Sequence, residues 1–166
     1  RGIAMGEFEL LQKTIEDELT IQKTNPYDYY LITLSRDYTF TRDYYNNRLD
    51  TKCINLTNID RPIIIDGNGS LINAKGFARI FNITASNVTL INFRLAYGNA
   101  SGNFSDGVNM GGAIFWAGKY GSLVDSQLYN NYANRGGAIY YNSSAINCLI
   151  NGSTFLNNTA DSFGGA

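Results

Sequence analysis

The hydrophobic pattern changes character once along the chain. From Glu7 to Lys23, the apolar residues Phe8, Leu11, Ile15 and Leu19 recur at helical spacing, with Lys13, Glu16, Asp17 and Glu18 on the other faces. That stripe predicts an amphipathic helix, which Asn25-Pro26 ends. Residues 1–6 add nothing to the pattern and are read as lying outside the fold. Beyond Pro26 the helical period disappears, and short apolar runs broken by Gly and Asn take over. Tyr27, Tyr29, Tyr30, Leu31, Ile32, Thr33 and Leu34 predict a strand. Further strands are predicted around residues 63–66, 70–73, 79–83 and 88–95. The breaks between them, Asp66-Gly67-Asn68-Gly69, Lys75-Gly76, Ser86-Asn87 and Gly98-Asn99, are built from residues that tolerate positive φ.

The runs repeat. Asn130-Asn131 returns as Asn157-Asn158, and 157 − 130 = 27. Ala133 and Ala160 share that offset, as do Ser126 and Ser153, and Leu128 and Phe155. The pairs Gly111-Gly112, Gly136-Gly137 and Gly164-Gly165 step by 25 and then 28 residues. Leu95 aligns on Leu128 and Ala100 on Ala133, with a longer turn from Ser101 to Met110. A period of about 25 residues holding short strands and turns predicts a parallel β-helix, a solenoid of stacked coils with three strands and three corners each. Equivalent side chains would then lie over one another. Ile114 would sit over Ile139, Phe115 over Tyr140 and Trp116 over Tyr141. Asn130 would bond Asn157 in an amide ladder. The glycine pairs are read as corners. No G-x-G-x-x-G opens a long helix and no Gly-Lys-Ser/Thr occurs, so a phosphate loop is not expected. The domain reading is a capping helix over residues 7–25 and a β-helix of five or six coils over 26–166.

Gly-Gly-Ala-Ile at 111–114 and 136–139, with Phe-x-x-Asn at 155–158 and Leu-x-x-Asn at 128–131, resembles the paired repeat of chlamydial polymorphic membrane proteins. A fuller resemblance, over about residues 60–166, is to the adhesin-like surface proteins of methanogenic archaea. It rests on "IIIDGNGSLINAKGFARIFNITASNVTLINF", "GNAS", "GGAIFWAG" and "STFLNNTA". The resemblance implies a right-handed parallel β-helix, secreted and held at the cell surface, that attaches to other cells or to host material. This chain departs from the family in being short, with no visible anchor. It breaks off within a repeat at Ala166, so a piece of a longer passenger is expected.

Composition narrows the chemistry. Among 166 residues, 44% are hydrophobic and 13% aromatic, enough for a folded core, while the formal charge of −1 offers nucleic acid no basic patch. There is no histidine, hence neither the commonest general base nor the commonest metal ligand. Cys53 and Cys148 leave open a disulfide or, more plainly, two buried thiols. No apolar run is long enough to span a bilayer. No cofactor or metal is expected, and a membrane would be met only through an anchor absent from this chain.

The rival to an adhesin is a polysaccharide lyase or hydrolase, since β-helices also carry those activities. Glycoside hydrolysis needs two carboxylates across one sugar bond. After residue 60 only Asp66, Asp106, Asp125 and Asp161 are available, and the last two are 161 − 125 = 36 residues apart, not one coil. The reading taken is therefore non-catalytic, with a passive spacer as a third alternative. The candidate ligand surface is the tyrosine-rich segment Tyr27, Tyr29, Tyr30, Tyr38, Tyr44 and Tyr45, because tyrosine supplies contact area at low entropic cost. Expected partners are other cells, or glycans and proteins on their surfaces. The chain is read as a monomer with an open end able to associate end to end. Of several Asn-x-Ser/Thr sequons, Asn99, Asn103 and Asn142 are the candidate glycosylation sites.

Overall fold

The computed structural model describes residues 5–43, 48–51, 53–102 and 108–166. The helix α1 spans Glu7–Gln22 and buries Phe8, Leu11 and Ile15, with Leu19 half-buried. It lies across the first coil, in contact with three of its strands. Phe8 meets Phe40 edge-on at 5.4 Å between ring centroids. Burying each of these side chains contributes about 1.5–3 kcal/mol before the cost of ordering them. The helix also covers strand edges that would otherwise be open.

The N-terminus of α1 is capped from far away. Gly6 has no side chain to cap with. Instead the buried carboxylate of Asp50 accepts the backbone N–H groups of Phe8 at 2.7 Å and Glu9 at 2.9 Å. The same carboxylate accepts Thr41 N–H at 3.2 Å and Thr51 N–H at 2.8 Å. A β-carbon at residue 6 would collide with it.

Five coils follow. The first holds β1 (Tyr30–Thr33), β2 (Tyr38–Thr39), an antiparallel pair β3 (Arg42–Asp43) and β4 (Arg48–Leu49), and β5 (Ile54–Leu56). The second holds β6 (Ile63–Asp66), β7 (Leu71–Asn73) and β8 (Phe81–Ile83). In the third are β9 (Val88–Ile91), β10 (Arg94–Ala96), β11 (Asn99–Ala100) and β12 (Ile114–Trp116). The fourth repeats this with β13 (Ser122–Val124), β14 (Gln127–Tyr129), β15 (Tyr132–Arg135) and β16 (Ile139–Tyr141). The fifth contributes β17 (Leu149–Asn151), β18 (Thr154–Leu156) and β19 (Thr159–Phe163).

The strands pair in parallel, coil to coil, in four ladders: β1-β6-β9-β13-β17, β2-β7-β10-β14-β18, β11-β15-β19 and β5-β8-β12-β16. The molecule is thus mostly β with one helix, its parallel sheets stacked in a solenoid-like array. A full coil has four strands where three were expected. The predicted single strand at 88–95 is two, broken at Asn92. Tyr27 and Tyr29 precede β1 instead of belonging to it.

The expected stacking partners are found in register. Leu95 pairs with Leu128, Leu128 with Phe155, Ala100 with Ala133, and Ala133 with Ala160. Ile114 pairs with Ile139, Phe115 with Tyr140 and Trp116 with Tyr141. Strand alternation sends every second residue inward. Ile32, Ile65, Leu90 and Leu123 form one buried column; Leu56, Ile83 and Trp116 form another. Trp116 and Tyr141 therefore face in, and Phe115 and Tyr140 face out.

The corners explain the asparagines. Asn87, Tyr120 and Asn147 all have positive φ, as do Asn92, Asp125 and Gly152, and Tyr97, Asn130 and Asn157. Each set follows the offsets 33 and 27 of the flanking ladders. The third, fourth and fifth coils turn through a left-handed residue at these points, a conformation asparagine and glycine accept most cheaply. The glycine pairs are the fourth corner. Gly111, Gly136 and Gly164 have φ of 74°, 59° and 65°. A β-carbon on Gly112 would strike the Gly137 carbonyl of the next coil.

Asn130 and Asn157 are consequently corner residues, and the amide ladder lies one position on. Asn131 is buried, and its Nδ2 donates to Asn158 Oδ1 at 2.9 Å and to the Leu95 carbonyl at 3.2 Å. Its Oδ1 accepts Gly98 N–H at 2.8 Å. Asn158 Nδ2 repeats the contact on the Leu128 carbonyl at 2.9 Å. Ser126 and Ser153 form a hydroxyl counterpart, with Ser126 N–H donating to Ser153 Oγ at 3.1 Å. Cys53 and Cys148 are half-buried thiols, not a disulfide.

Candidate binding surface

The structure divides the tyrosine-rich segment. Tyr30 and Tyr38 are 1% and 3% exposed, so they belong to the core and not to a ligand surface. The reason is periodicity: Tyr30, Ile32 and Leu34 share the inward face, and Tyr38 stacks on Ile72. Tyr27 is 62% exposed, with Tyr29 half-buried beside it and their rings 5.8 Å apart. Tyr44 and Tyr45 lie outside the described residues, as does Asn103.

What gathers around Tyr27 and Tyr29 is a charged cluster at the C-terminal end of α1. Asp60 accepts the Tyr30 hydroxyl at 2.7 Å and the Lys23 ammonium at 2.9 Å. Arg61 lies 4.8 Å over the Tyr30 ring. Its guanidinium donates to Lys23 O at 2.6 Å, Asn25 Oδ1 at 3.0 Å and Tyr27 O at 3.0 Å. Arg61 thereby satisfies a carbonyl at the helix end, where a cation also suits the macrodipole. An open cavity of about 380 Å³ adjoins the cluster, with Leu19 and Ile59 as apolar lining and Lys23 and Asp60 as polar lining.

The electrostatics follow from these bonds. Hydrogen bonds from Lys23, then from Tyr30, hold the Asp60 carboxyl down at about 2. The same bond raises the Lys23 ammonium. Donation to Asp60, and then burial, raise the Tyr30 hydroxyl. At neutral pH Asp60 is a committed acceptor and Tyr30 a committed donor. Neither is poised near 7 as a general acid or base would be. The cluster is a latch that fixes the helix end to the second coil beside an exposed aromatic pair.

The outer walls carry the remaining candidates. Asn55, Asn82, Phe115 and Tyr140 stand in one outward row. Asn82 Nδ2 donates to Asn55 Oδ1 at 3.0 Å, and the Phe115 and Tyr140 rings stack at 6.0 Å with an interplanar angle of 4°. Tyr97 and Tyr120 are 46% and 50% exposed. The return of the Ser101–Met110 turn is clasped by buried Arg79, which donates to the carbonyls of Val108, Met110 and Gly111. At the sequons, Asn99 Oδ1 accepts Ser101 N–H and Oγ–H at 2.9 and 2.6 Å. Asn142 Nδ2, the atom a glycan would take, donates to Ser144 Oγ at 3.0 Å.

Lys23 and Arg61 were not anticipated from sequence. The signal that finds Asp60 is the coil offset: Tyr30 pairs with Ile63, 33 residues on, and the same offset sets Asp60 one coil from Tyr27. Among known proteins, no family model, no curated protein and no solved structure matches this chain.

Proposed function

We propose that this chain is a non-catalytic adhesin module of the cell surface, a right-handed parallel β-helix whose rigid wall meets other cells or their surface glycans. The carrying observation is that outward side chains fall in register from coil to coil, as in the Asn55, Asn82, Phe115, Tyr140 row. Such a wall repeats at the strand spacing of about 4.8 Å and suits a partner that is itself repetitive. The right-handed sense is supported by the strong preference of parallel strand crossovers for that hand. The resemblance to adhesin-like surface proteins supports the extracellular setting, and glycans at Asn99, Asn103 and Asn142 belong to the same reading.

A passive spacer is the second reading, and the exposed rings of Tyr27, Tyr97 and Tyr120 weigh against a featureless wall. The deciding experiment incubates the protein with plant and microbial polysaccharides and with whole cells. Mass spectrometry scores released oligosaccharides, and co-sedimentation scores retained protein. Retention without release is the expected result. Released products would replace the proposal with an enzyme, and no retention on any surface would leave the spacer.

A further inference from the structure

A second concavity lies on the side wall, away from α1, where the first ladder hands over to the second. It is an open groove of about 320 Å³ crossing the second, third and fourth coils. Arg94 opens β10 and Gln127 opens β14, and the two are direct ladder partners on the outer face. Just before them in their coils stand the left-handed corner residues Asn92 and Asp125. Arg94 is held by the Gly69 carbonyl, which accepts its Nε–H at 3.0 Å, and Asn92 by Asp66, whose Oδ1 accepts its Nδ2–H at 3.3 Å. Asp125 and Gln127 are exposed, and neither side chain hydrogen-bonds to any of the described residues.

We infer that this groove binds an extended neutral polysaccharide, lying across the coils with its sugar hydroxyls on Asn92, Arg94, Asp125 and Gln127. The inference rests on the binding-module reading and names its ligand class and site. Carboxylate, amide and guanidinium groups are planar and offer paired acceptors or donors, the pattern that adjacent hydroxyls of a sugar match. Arg94 is already paired with Asp37 at 3.9 Å, and the carboxylates of Asp66 and Asp125 stand beside Asn92 and Gln127, so the groove offers a polyanion no uncompensated positive charge. Neighbouring rungs are about 4.8 Å apart, comparable to the advance of one sugar along an extended chain. On the same face of β14, two residues or about 6.6 Å beyond Gln127, Tyr129 supplies an aromatic ring for the apolar face of a sugar. Tyr97 packs edge-on against it at 6.4 Å.

Calorimetric titration with cellohexaose, mannohexaose and hexagalacturonate tests this. At least one neutral hexasaccharide should bind and hexagalacturonate should not. Gln127→Ala and Asp125→Asn should each weaken the neutral ligand about tenfold. Asp125→Asn retains a residue suited to the left-handed corner, and both variants should keep the wild-type circular dichroism. Ile21→Ser, at an exposed position of α1 outside both surfaces, should bind like wild type. The inference is overturned if neither neutral probe binds, if hexagalacturonate binds in preference, or if both folded groove variants bind undiminished. Whole-cell retention separates the two proposals. If cells retain wild type and the Gln127→Ala/Asp125→Asn double variant equally, the groove fails while the adhesin reading stands; if neither is retained, the adhesin reading fails as well.

Discussion

Replacing Asp50 with alanine tests whether the helix cap is held from the far side of the first coil. One buried carboxylate accepts four backbone N–H groups, those of Phe8, Glu9, Thr41 and Thr51, at 2.7 to 3.2 Å. Loss of an N-cap acceptor costs about 0.5–2 kcal/mol. Hydrogen bonds to a charged group contribute about 1.5–3 kcal/mol each, but they share one acceptor and do not add. Only the Phe8 contact is fully buried, so water replaces part of the remainder. The net expectation for Asp50→Ala is a loss of about 3 kcal/mol, a large share of the roughly 5–15 kcal/mol typical of a domain. Asp50→Asn keeps one acceptor oxygen and should lose about half as much. Urea unfolding followed by far-ultraviolet circular dichroism gives both values, and hydrogen exchange at Phe8 and Glu9 should quicken in parallel. A change below about 0.5 kcal/mol for the alanine variant, or a greater loss for asparagine than for alanine, would refute this account of the cap.

Three further outcomes are expected. Gly112→Ala should destabilise by about 1–3 kcal/mol or prevent folding, because its β-carbon meets the Gly137 carbonyl; thermal melts check this, with Gly69→Ala, where a β-carbon meets nothing but φ is +79°, as a milder control. Asn131→Ala strands Gly98 N–H and removes a second donor from the Leu95 carbonyl and should cost about 1–3 kcal/mol, which chemical denaturation reads; a cost near zero would mean the ladder is ornamental. Asp60 has a folded pKa of about 2 against an ordinary 3.8, so its stabilising contribution is present above pH 4 and is lost as pH falls through about 2. The difference in melting temperature between wild type and Asp60→Asn should therefore shrink across that window, and a constant difference would sink the assignment.

Much of the parallel stacking was legible because several residues share each coil-to-coil offset, as 27 residues relate Leu128 to Phe155 and Ala133 to Ala160. Leu95, Leu128 and Phe155 could be stacked from the sequence alone, as could Ile114 on Ile139. The amide ladder was misplaced by one residue because Asn130 and Asn131 are adjacent and identical, and one step along the chain exchanges a corner for an inward position. The number of corners was hidden for a related reason. Left-handed positions are filled by Tyr97, Tyr120 and Lys75 as well as by asparagine, so packing imposes a conformation that those residues do not advertise. Tyr30 was misread although its signal was present, since Tyr30, Ile32 and Leu34 alternate with Leu31 and Thr33. The first coil was hardest. The β3–β4 excursion breaks its period, and Asp50 acts on a helix about 42 residues earlier in the chain, a relation no local pattern encodes.

The direction of the ladder hydrogen bonds has a mechanical meaning. They run from coil to coil, along the stack, so tension applied lengthwise stretches them end-on instead of shearing whole strands past one another. Each coil is secured mainly by the one beside it, with rungs such as Asn131–Asn158 adding a side-chain tie. A molecule of this kind should yield by peeling, one coil of about 25–33 residues at a time, with a sawtooth of small, evenly sized lengthenings in a force-extension trace. In the adhesin reading proposed above, yielding in instalments would dissipate a sudden pull gradually and spare the bond to the partner the peak load.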